Sequence, residues 1–286
     1  MTPTPSHACT PTAWSEETDM STSAHPPGEV RLQIREGVAH IELHNPHRYN
    51  AMSLAMWRGL ADIVAAMETD ASVRVLLLRG AGNRAFVSGA DISEFGELRN
   101  SPEQVAAYGA AVHAAQYALS ACSKPVVACI QGVCMGGGIG LALACDLRYC
   151  ADDARFRMPA ARLGLGYDLD GTRRMADIVG AARTAEMIFT ARTFDGREAE
   201  RIGLVHKSYA PALLEQEVAD IVANVALNAP LTLKAAKLSI RHLLGDPAAR
   251  DTAELQRATQ ACFDSNDYKE GQQAFLEKRP PRFTGA

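Results

Sequence analysis

The residues best suited to chemistry lie in two glycine-bearing segments. The first is Arg84-Ala85-Phe86-Val87-Ser88-Gly89-Ala90-Asp91-Ile92, the second Gly132-Val133-Cys134-Met135-Gly136-Gly137-Gly138-Ile139-Gly140. Glycine beside small residues lets backbone N–H groups come close to a ligand, and Asp91 can hold its turn through its side chain. The amides of the second segment stand at the start of an apolar helix. Unpaired N–H groups and the helix dipole favour negative charge there. Backbone donors aimed at an anion are the chemistry on offer. Taken singly, each segment reads equally well as a tight turn with close backbone packing. A dinucleotide fingerprint does not fit: Gly136-x-Gly138 and Gly138-x-Gly140 are followed, where Gly or Ala is required, by Leu141 and Leu143. No Gly-Lys-Ser/Thr phosphate loop occurs either.

Strands and helices must carry these segments. Alternating apolar residues Val30-Leu32-Ile34 and Val38-His40-Ile41-Leu43, with Glu36-Gly37 between them, predict an antiparallel hairpin. Ser53 is placed to cap a helix whose stripe is Met56, Leu60, Ile63 and Met67. Val73–Leu78 reads as a buried strand leading into the first segment. Ser101-Pro102-Glu103-Gln104 is a capping box opening a long helix through Val105, Tyr108, Val112, Ala115 and Leu119. Pro125–Ile130 and Asp146–Cys150 read as strands around a short helix, 139–144, that is apolar on every side. Alternation of strand and helix to about Val205 predicts an α/β core with parallel crossovers. Beyond Pro211 the pattern is helical, over 211–228, 231–244, 250–264 and 267–277. The expected organisation is a flexible tail over 1–28, a core over 29–210 and a helical region over 211–286, the last a place for oligomer contacts.

Composition narrows the function classes. Hydrophobic residues make up 47% and charged residues 22%, as in a soluble globular protein. A formal net charge of −4 leaves no overall basic field for nucleic acid or an anionic membrane. The seven cysteines form no Cys-x-x-Cys pair and read as reduced, buried small hydrophobes of a cytoplasmic protein. No apolar run approaches the ~18 residues of a membrane span. Residues 1–28 are rich in Thr, Pro and Ser and carry no Lys or Arg, unlike a secretory or transit signal.

Taken together and in order, the motifs resemble the crotonase superfamily, also called the enoyl-CoA hydratase/isomerase family. The resemblance rests on Asn50-Ala51-Met52-Ser53, Ala85-Phe86-x-Ser88-Gly89-Ala90-Asp91-Ile92, Gly132-x-Cys134-x-Gly136-Gly137-Gly138, Ala199-x-x-x-Gly203-Leu204-Val205 and Asp267-Tyr268-x-Glu270-Gly271-x-x-Ala274-Phe275-x-Glu277-Lys278-Arg279. It implies a spiral of ββα repeats, C-terminal helices that build a homotrimer or a dimer of trimers, and an acyl-CoA thioester as substrate. No cofactor is implied beyond the CoA of the substrate. By position, the resemblance assigns the amides of Ala90 and Gly137 to an oxyanion hole for a thioester enolate. It also lays Ser88, Asp91, Ile92 and Gly136 along the substrate. Arg48 and Lys278-Arg279 either meet CoA phosphates or are solvated surface charge.

The resemblance breaks at the two glutamates that hydratases of the family use as acid and base. Their positions here are Gly140 and Ala160. A few residues on, Leu163-Gly164-Leu165-Gly166-Tyr167-Asp168-Leu169-Asp170-Gly171 is similar to two branches: methylmalonyl-CoA decarboxylase, with Tyr in the place of Tyr167, and dienoyl-CoA isomerase, with a catalytic Asp in the place of Asp168. The decarboxylase branch differs in having His where this chain has Ala90 and Glu where it has Gly140. Enolate chemistry by Ala90 and Gly137 with Asp168 or Tyr167 moving a proton is therefore expected, as decarboxylation or isomerisation. The alternatives are true hydration and a non-catalytic acyl-CoA-binding protein. Equally open are Asp168 or Asp170 as a helix cap, with Asp170 the better placed, and Tyr167 as wall packing. His113 reads as a core or surface residue.

Overall fold

The computed structural model describes residues 26–286; the expected tail and Cys9 lie almost wholly outside them. In chain order the strands are β1 (Glu29–Arg35), β2 (Val38–His44), β3 (Val75–Gly80), β4 (Ala85–Val87), β5 (Val126–Ile130), β6 (Val133–Met135), β7 (Leu147–Ala151), β8 (Arg155–Arg157) and β9 (Lys207–Tyr209). The helices are α1 (Leu54–Thr69), α2 (Phe95–Leu98), α3 (Pro102–Ala121), α4 (Gly137–Ala144), α5 (Ala160–Leu163), α6 (Leu169–Val179), α7 (Ala181–Thr190), α8 (Gly196–Arg201), α9 (Leu214–Leu227), α10 (Pro230–Leu244), α11 (Thr252–Asp264) and α12 (Asn266–Glu277).

Two sheets run through the core. One has the order β1-β2-β3-β5-β7-β9, the other β4-β6-β8. Only β1 and β2 pair antiparallel, in the predicted hairpin, with Glu36 and Gly37 both at positive φ in its turn. Every other neighbouring strand pair in the two sheets is parallel. Each turn of the chain contributes a strand to the large sheet, the next to the small one, then helix: β3-β4, β5-β6 and β7-β8 repeat this step. The result is the α/β spiral of ββα units that the resemblance implies. The small sheet is the part that periodicity missed. Its three-residue strands are too short to show a period, and two of them, β4 and β6, lie inside segments that read as glycine-rich loops.

Local signals set the helix starts. Ser53 accepts a hydrogen bond from the Met56 amide, and α1 buries Met56, Trp57, Leu60, Val64 and Met67. Ile63 is only half-buried; Trp57 and Val64 take its expected place. Ser101 caps α3 through the Gln104 amide, but the Gln104 side chain reaches back to the Asn100 amide rather than to Ser101. Helix α4 is buried nearly throughout, as its apolar sequence predicts. Lys237 on α10 fastens the C-terminal helices to the core, pairing with Asp146 at 2.6 Å and donating to the Lys124 carbonyl at 2.9 Å. Cys122, Cys134, Cys145 and Cys150 are buried free thiols. Burial pushes the thiols of Cys122 to about 11 and of Cys145 to about 12, so both stay protonated and inert. No helix among the described residues is long and apolar enough to cross a membrane.

Candidate active site

The two glycine segments meet because β4 and β6 pair in parallel, Ala85 opposite Val133 and Val87 opposite Cys134. After β4 the chain forms a bridge with Met52: the Met52 amide donates to the Gly89 carbonyl at 2.8 Å, and the Asp91 amide donates to the Met52 carbonyl at 2.9 Å. Both neighbours of Ala90 are thereby pinned. The Ala90 N–H itself donates to nothing among the described residues.

After β6 the chain turns at Gly136, φ 50°, a conformation that favours glycine, and enters α4 at Gly137. The first amides of a helix have no intrahelical acceptor, and the Gly137 N–H is free. Gly138 brings the loops together, since a Cβ there would stand 2.3 Å from the Val87 carbonyl oxygen. A Cβ on Gly137 would lie 3.8 Å from the Ala90 nitrogen and 3.2 Å from Cζ2 of Trp57. Two unpaired, half-exposed amides therefore stand side by side over an indole floor. An oxygen placed between them receives two preorganised donors, each worth about 2.7–4 kcal/mol to a developing oxyanion.

That floor is fixed from behind. Trp57 is fully buried, and its Nε1 donates to the Tyr108 hydroxyl at 3.3 Å, which donates to the Met52 carbonyl at 3.1 Å. Burial raises the pKa of the Tyr108 phenol, keeping it a neutral donor. The Arg99 guanidinium carbon lies over the Tyr108 ring, 3.9 Å from its centroid. Helices α1 and α3 thus brace the floor beneath the two amides. The sequence placed Trp57 and Tyr108 on helices, but nothing in their spacing linked them to the second glycine segment.

Asp91 acts as an anchor. Its buried carboxylate accepts from the Ser93 amide at 3.1 Å, the Ser93 hydroxyl at 2.7 Å and Arg48 at 2.9 Å. Arg48 also donates to Ser93, so its charge is partly spent on the loop. Ser88 donates to the Arg48 carbonyl at 3.2 Å. Ile92 is 62% exposed and offers an apolar surface beside Ala90. Lys278 ends α12 with φ 54° and is exposed. Its neighbour Arg279 is held by Glu270, at 2.6 and 3.0 Å, and by Glu277.

Of the two positions without carboxylates, Gly140 lies on α4 itself and Ala160 on α5. Pro159 packs 3.7 Å from where Gly136 would carry a Cβ, and Ala160 follows it, buried, at the start of α5. The helix cap proves to be Asp168 rather than the favoured Asp170: Asp168 Oδ1 accepts from the Gly171 amide at 2.6 Å, while the residue is exposed. Asp170 instead meets His113 of α3 at 3.3 Å. Tyr167 is half-buried against the core, and its hydroxyl has no hydrogen-bond partner among the described residues. Burial, with the Asp168 charge adding to it, pushes its phenol to about 12. No cluster of three His, Cys, Asp or Glu side chains among the described residues is placed to hold a metal ion.

Comparison with known proteins gives one answer. The family model Enoyl-CoA hydratase/isomerase matches residues 33–286. A short-chain-enoyl-CoA hydratase of Clostridium acetobutylicum is 32% identical, over 87% of this chain and 95% of its own. The peroxisomal Delta(3,5)-Delta(2,4)-dienoyl-CoA isomerase of Arabidopsis thaliana is 31% identical, over 89% and 95%. The crystal structure of an enoyl-CoA hydratase/carnithine racemase from Magnetospirillum magneticum superposes with a TM-score of 0.86 at 36% identity, covering 90% of this chain and 96% of that one. With its ββα spiral and paired free amides, the chain belongs to the enoyl-CoA hydratase/isomerase family of the crotonase superfamily, enzymes of acyl-CoA thioesters.

Proposed function

We propose that the protein holds the enolate of an acyl-CoA thioester between the Ala90 and Gly137 amides, in a decarboxylation or isomerisation rather than in ordinary hydration. The observation that carries this reading is a paired donor site with no carboxylate at Gly140 or Ala160. Addition of water needs a base to take its proton and an acid to supply the α-proton. Loss of CO₂ needs neither at the start. The bond between the α-carbon and the carboxylate breaks, its electron pair becomes the enolate, and the thioester oxygen takes the negative charge between the amides. The α-carbon then receives one proton.

Tyr167 is our choice of donor for that proton. Its phenol stays protonated at neutral pH, and an enolate carbon is far more basic than a phenolate. In that step Asp168 acts through Tyr167: it caps α6 and its charge helps to keep the phenol protonated. Isomerisation uses the same enolate but needs a base for the proton removed from one carbon before it returns at another; Asp168, next to Tyr167, is the carboxylate we assign to that step, and the dienoyl-CoA isomerase among the relatives supports it. The hydratase names support hydration as the second reading, with acid and base supplied from elsewhere. Exposed Phe189, Phe275 and Leu276 support association into a homotrimer or dimer of trimers.

The test is mass spectrometry of crotonyl-, 3-enoyl-, dienoyl-, methylmalonyl- and ethylmalonyl-CoA incubated with the protein in ordinary, heavy-oxygen and deuterated water. CO₂ loss, or deuterium uptake without a gain of water, is the expected result. Addition of labelled water to crotonyl-CoA as the main reaction overturns the reading.

A further inference from the structure

The side chain that stands where hydratases carry a glutamate comes from another helix. A Cβ built on Gly140 would lie 2.5 Å from Nε2 of Gln116 and 3.3 Å from its Cδ. The Gln116 carboxamide, projecting from α3, therefore fills the volume into which a side chain at position 140 would extend. Gly140 follows Gly137 by three residues on α4, so the two lie on one helical face, about 4.5 Å apart along the axis. That separation is comparable to the distance from a thioester oxygen to an atom attached at the β-carbon of the acyl group.

Gln116 is half-buried and makes no hydrogen bond among the described residues. A carboxamide has two donors and an acceptor, and half-buried polar groups left without a protein partner are completed by water or ligand. Three residues earlier on α3, His113 pairs with Asp170. The stretch of α3 that carries Gln116 thus also meets the Tyr167–Gly171 wall. Three elements converge on one place: α4 with the oxyanion donor, the segment with Tyr167, and α3 with an unused amide.

We infer that Gln116 is a specificity-determining residue whose carboxamide binds an oxygen on the β-carbon of the acyl group, selecting β-oxygenated acyl-CoA thioesters. This rests on the proposed oxyanion site. Two kinds of substrate share the chemistry: a malonyl-type ester, whose carboxylate carbon is the β-carbon, and a 3-hydroxyacyl ester. A neutral amide can hold either oxygen and, unlike a glutamate, does not repel a carboxylate.

The test is calorimetric binding of methylmalonyl-CoA, 3-hydroxybutyryl-CoA and butyryl-CoA to the full chain and to Gln116→Leu, with Gln116→Ala as a second variant and a thermal melt of each. Leucine keeps the bulk beside Gly140 and removes the polar atoms. The expected result is about a tenfold loss of affinity, the worth of one neutral hydrogen bond, for an oxygenated ester, with butyryl-CoA unchanged. Whichever oxygenated ester loses more identifies the source of the oxygen. Equal losses for all three esters in both variants, or no loss for any, overturn the inference and leave the oxyanion reading standing. Failure of the unaltered protein to bind any of the three overturns both.

Discussion

Replacing Gly137 by alanine separates catalysis from folding. The backbone at 137 is helical, so alanine fits its conformation, and exchanging glycine for alanine in a helix is worth at most about 1 kcal/mol in its favour. Against this, the new methyl would stand 3.2 and 3.3 Å from Cζ2 and Cη2 of Trp57. The indole cannot step back, because it is fully buried and tied to the Tyr108 hydroxyl. Overpacking of that kind costs about 1–3 kcal/mol. The net destabilisation then lies between about 0 and 3 kcal/mol, or at most about ten degrees in Tm for a protein of this size. Activity suffers far more. The methyl carbon lies 3.8 Å from the Ala90 nitrogen, at the edge of the seat between the two donors. Loss of one donor costs about 10²–10³ in rate. Gly137→Ala is expected to remain folded by circular dichroism and to lose at least that factor in turnover of whichever thioester the unaltered enzyme consumes. Adding Trp57→Phe, which removes the clashing ring carbons, should make the stability losses less than additive. Turnover within about threefold of normal in Gly137→Ala, when fully folded, would refute the assignment of this amide to the oxyanion hole.

Asp168 and Tyr167 are expected to behave differently. Asp168→Asn keeps the helix cap and should change stability little, whereas Asp168→Ala should cost about 1 kcal/mol by denaturant unfolding. Tyr167→Phe should keep the fold and lower turnover by about 10²–10⁴, the range for a removed proton donor. Turnover should show no alkaline limb from Tyr167 until its phenol ionises, at about 12. Because that folded-state value lies above the ordinary phenol pKa, its contribution to stability is complete below the ordinary value and is lost as pH rises toward about 12. At the acid end, Arg279 and the Arg282 amide hold the Glu270 carboxyl down at about 2. Its contribution is present above the ordinary 4.5 and lost as pH falls toward about 2. Hydrogen exchange should show residues 279–286 loosening over that interval, and Glu270→Gln should abolish the dependence.

What the chain revealed before folding depended on the length scale of each feature. The helix over 214–227 and the one over 252–264 were legible because a stripe recurring over several turns outweighs local noise. The caps at Ser53 and Ser101 were legible because a hydroxyl before a helix has few other uses there. The small sheet was not, since β4, β6 and β8 are held by parallel pairing across long sequence separations rather than by any pattern of their own. The Asp168 cap illustrates a narrower limit. Asp168 and Asp170 are equivalent by type, and only the exact phase of α6 decides which carboxylate faces the orphan amides.

The same limit separates the two halves of the site. The pairing of the Ala90 and Gly137 segments was legible through motif order, since close-packed glycine-rich turns leave a trace in composition. The role proposed for Gln116 left no such trace. Its meaning comes from the missing side chain at position 140, on a different helix, and only the packing of α3 on α4 joins the two. A glycine at a position where a carboxylate is expected reads, in the sequence, as a loss of function. In three dimensions the same glycine is what allows a neutral amide into that space. On the proposed reading, the absence of the two glutamates is a change in the charge of the acyl pocket rather than decay of a hydratase. On that reading, a pocket that lacks both glutamates, beside the paired free amides of Ala90 and Gly137, is one that an anionic acyl group can enter.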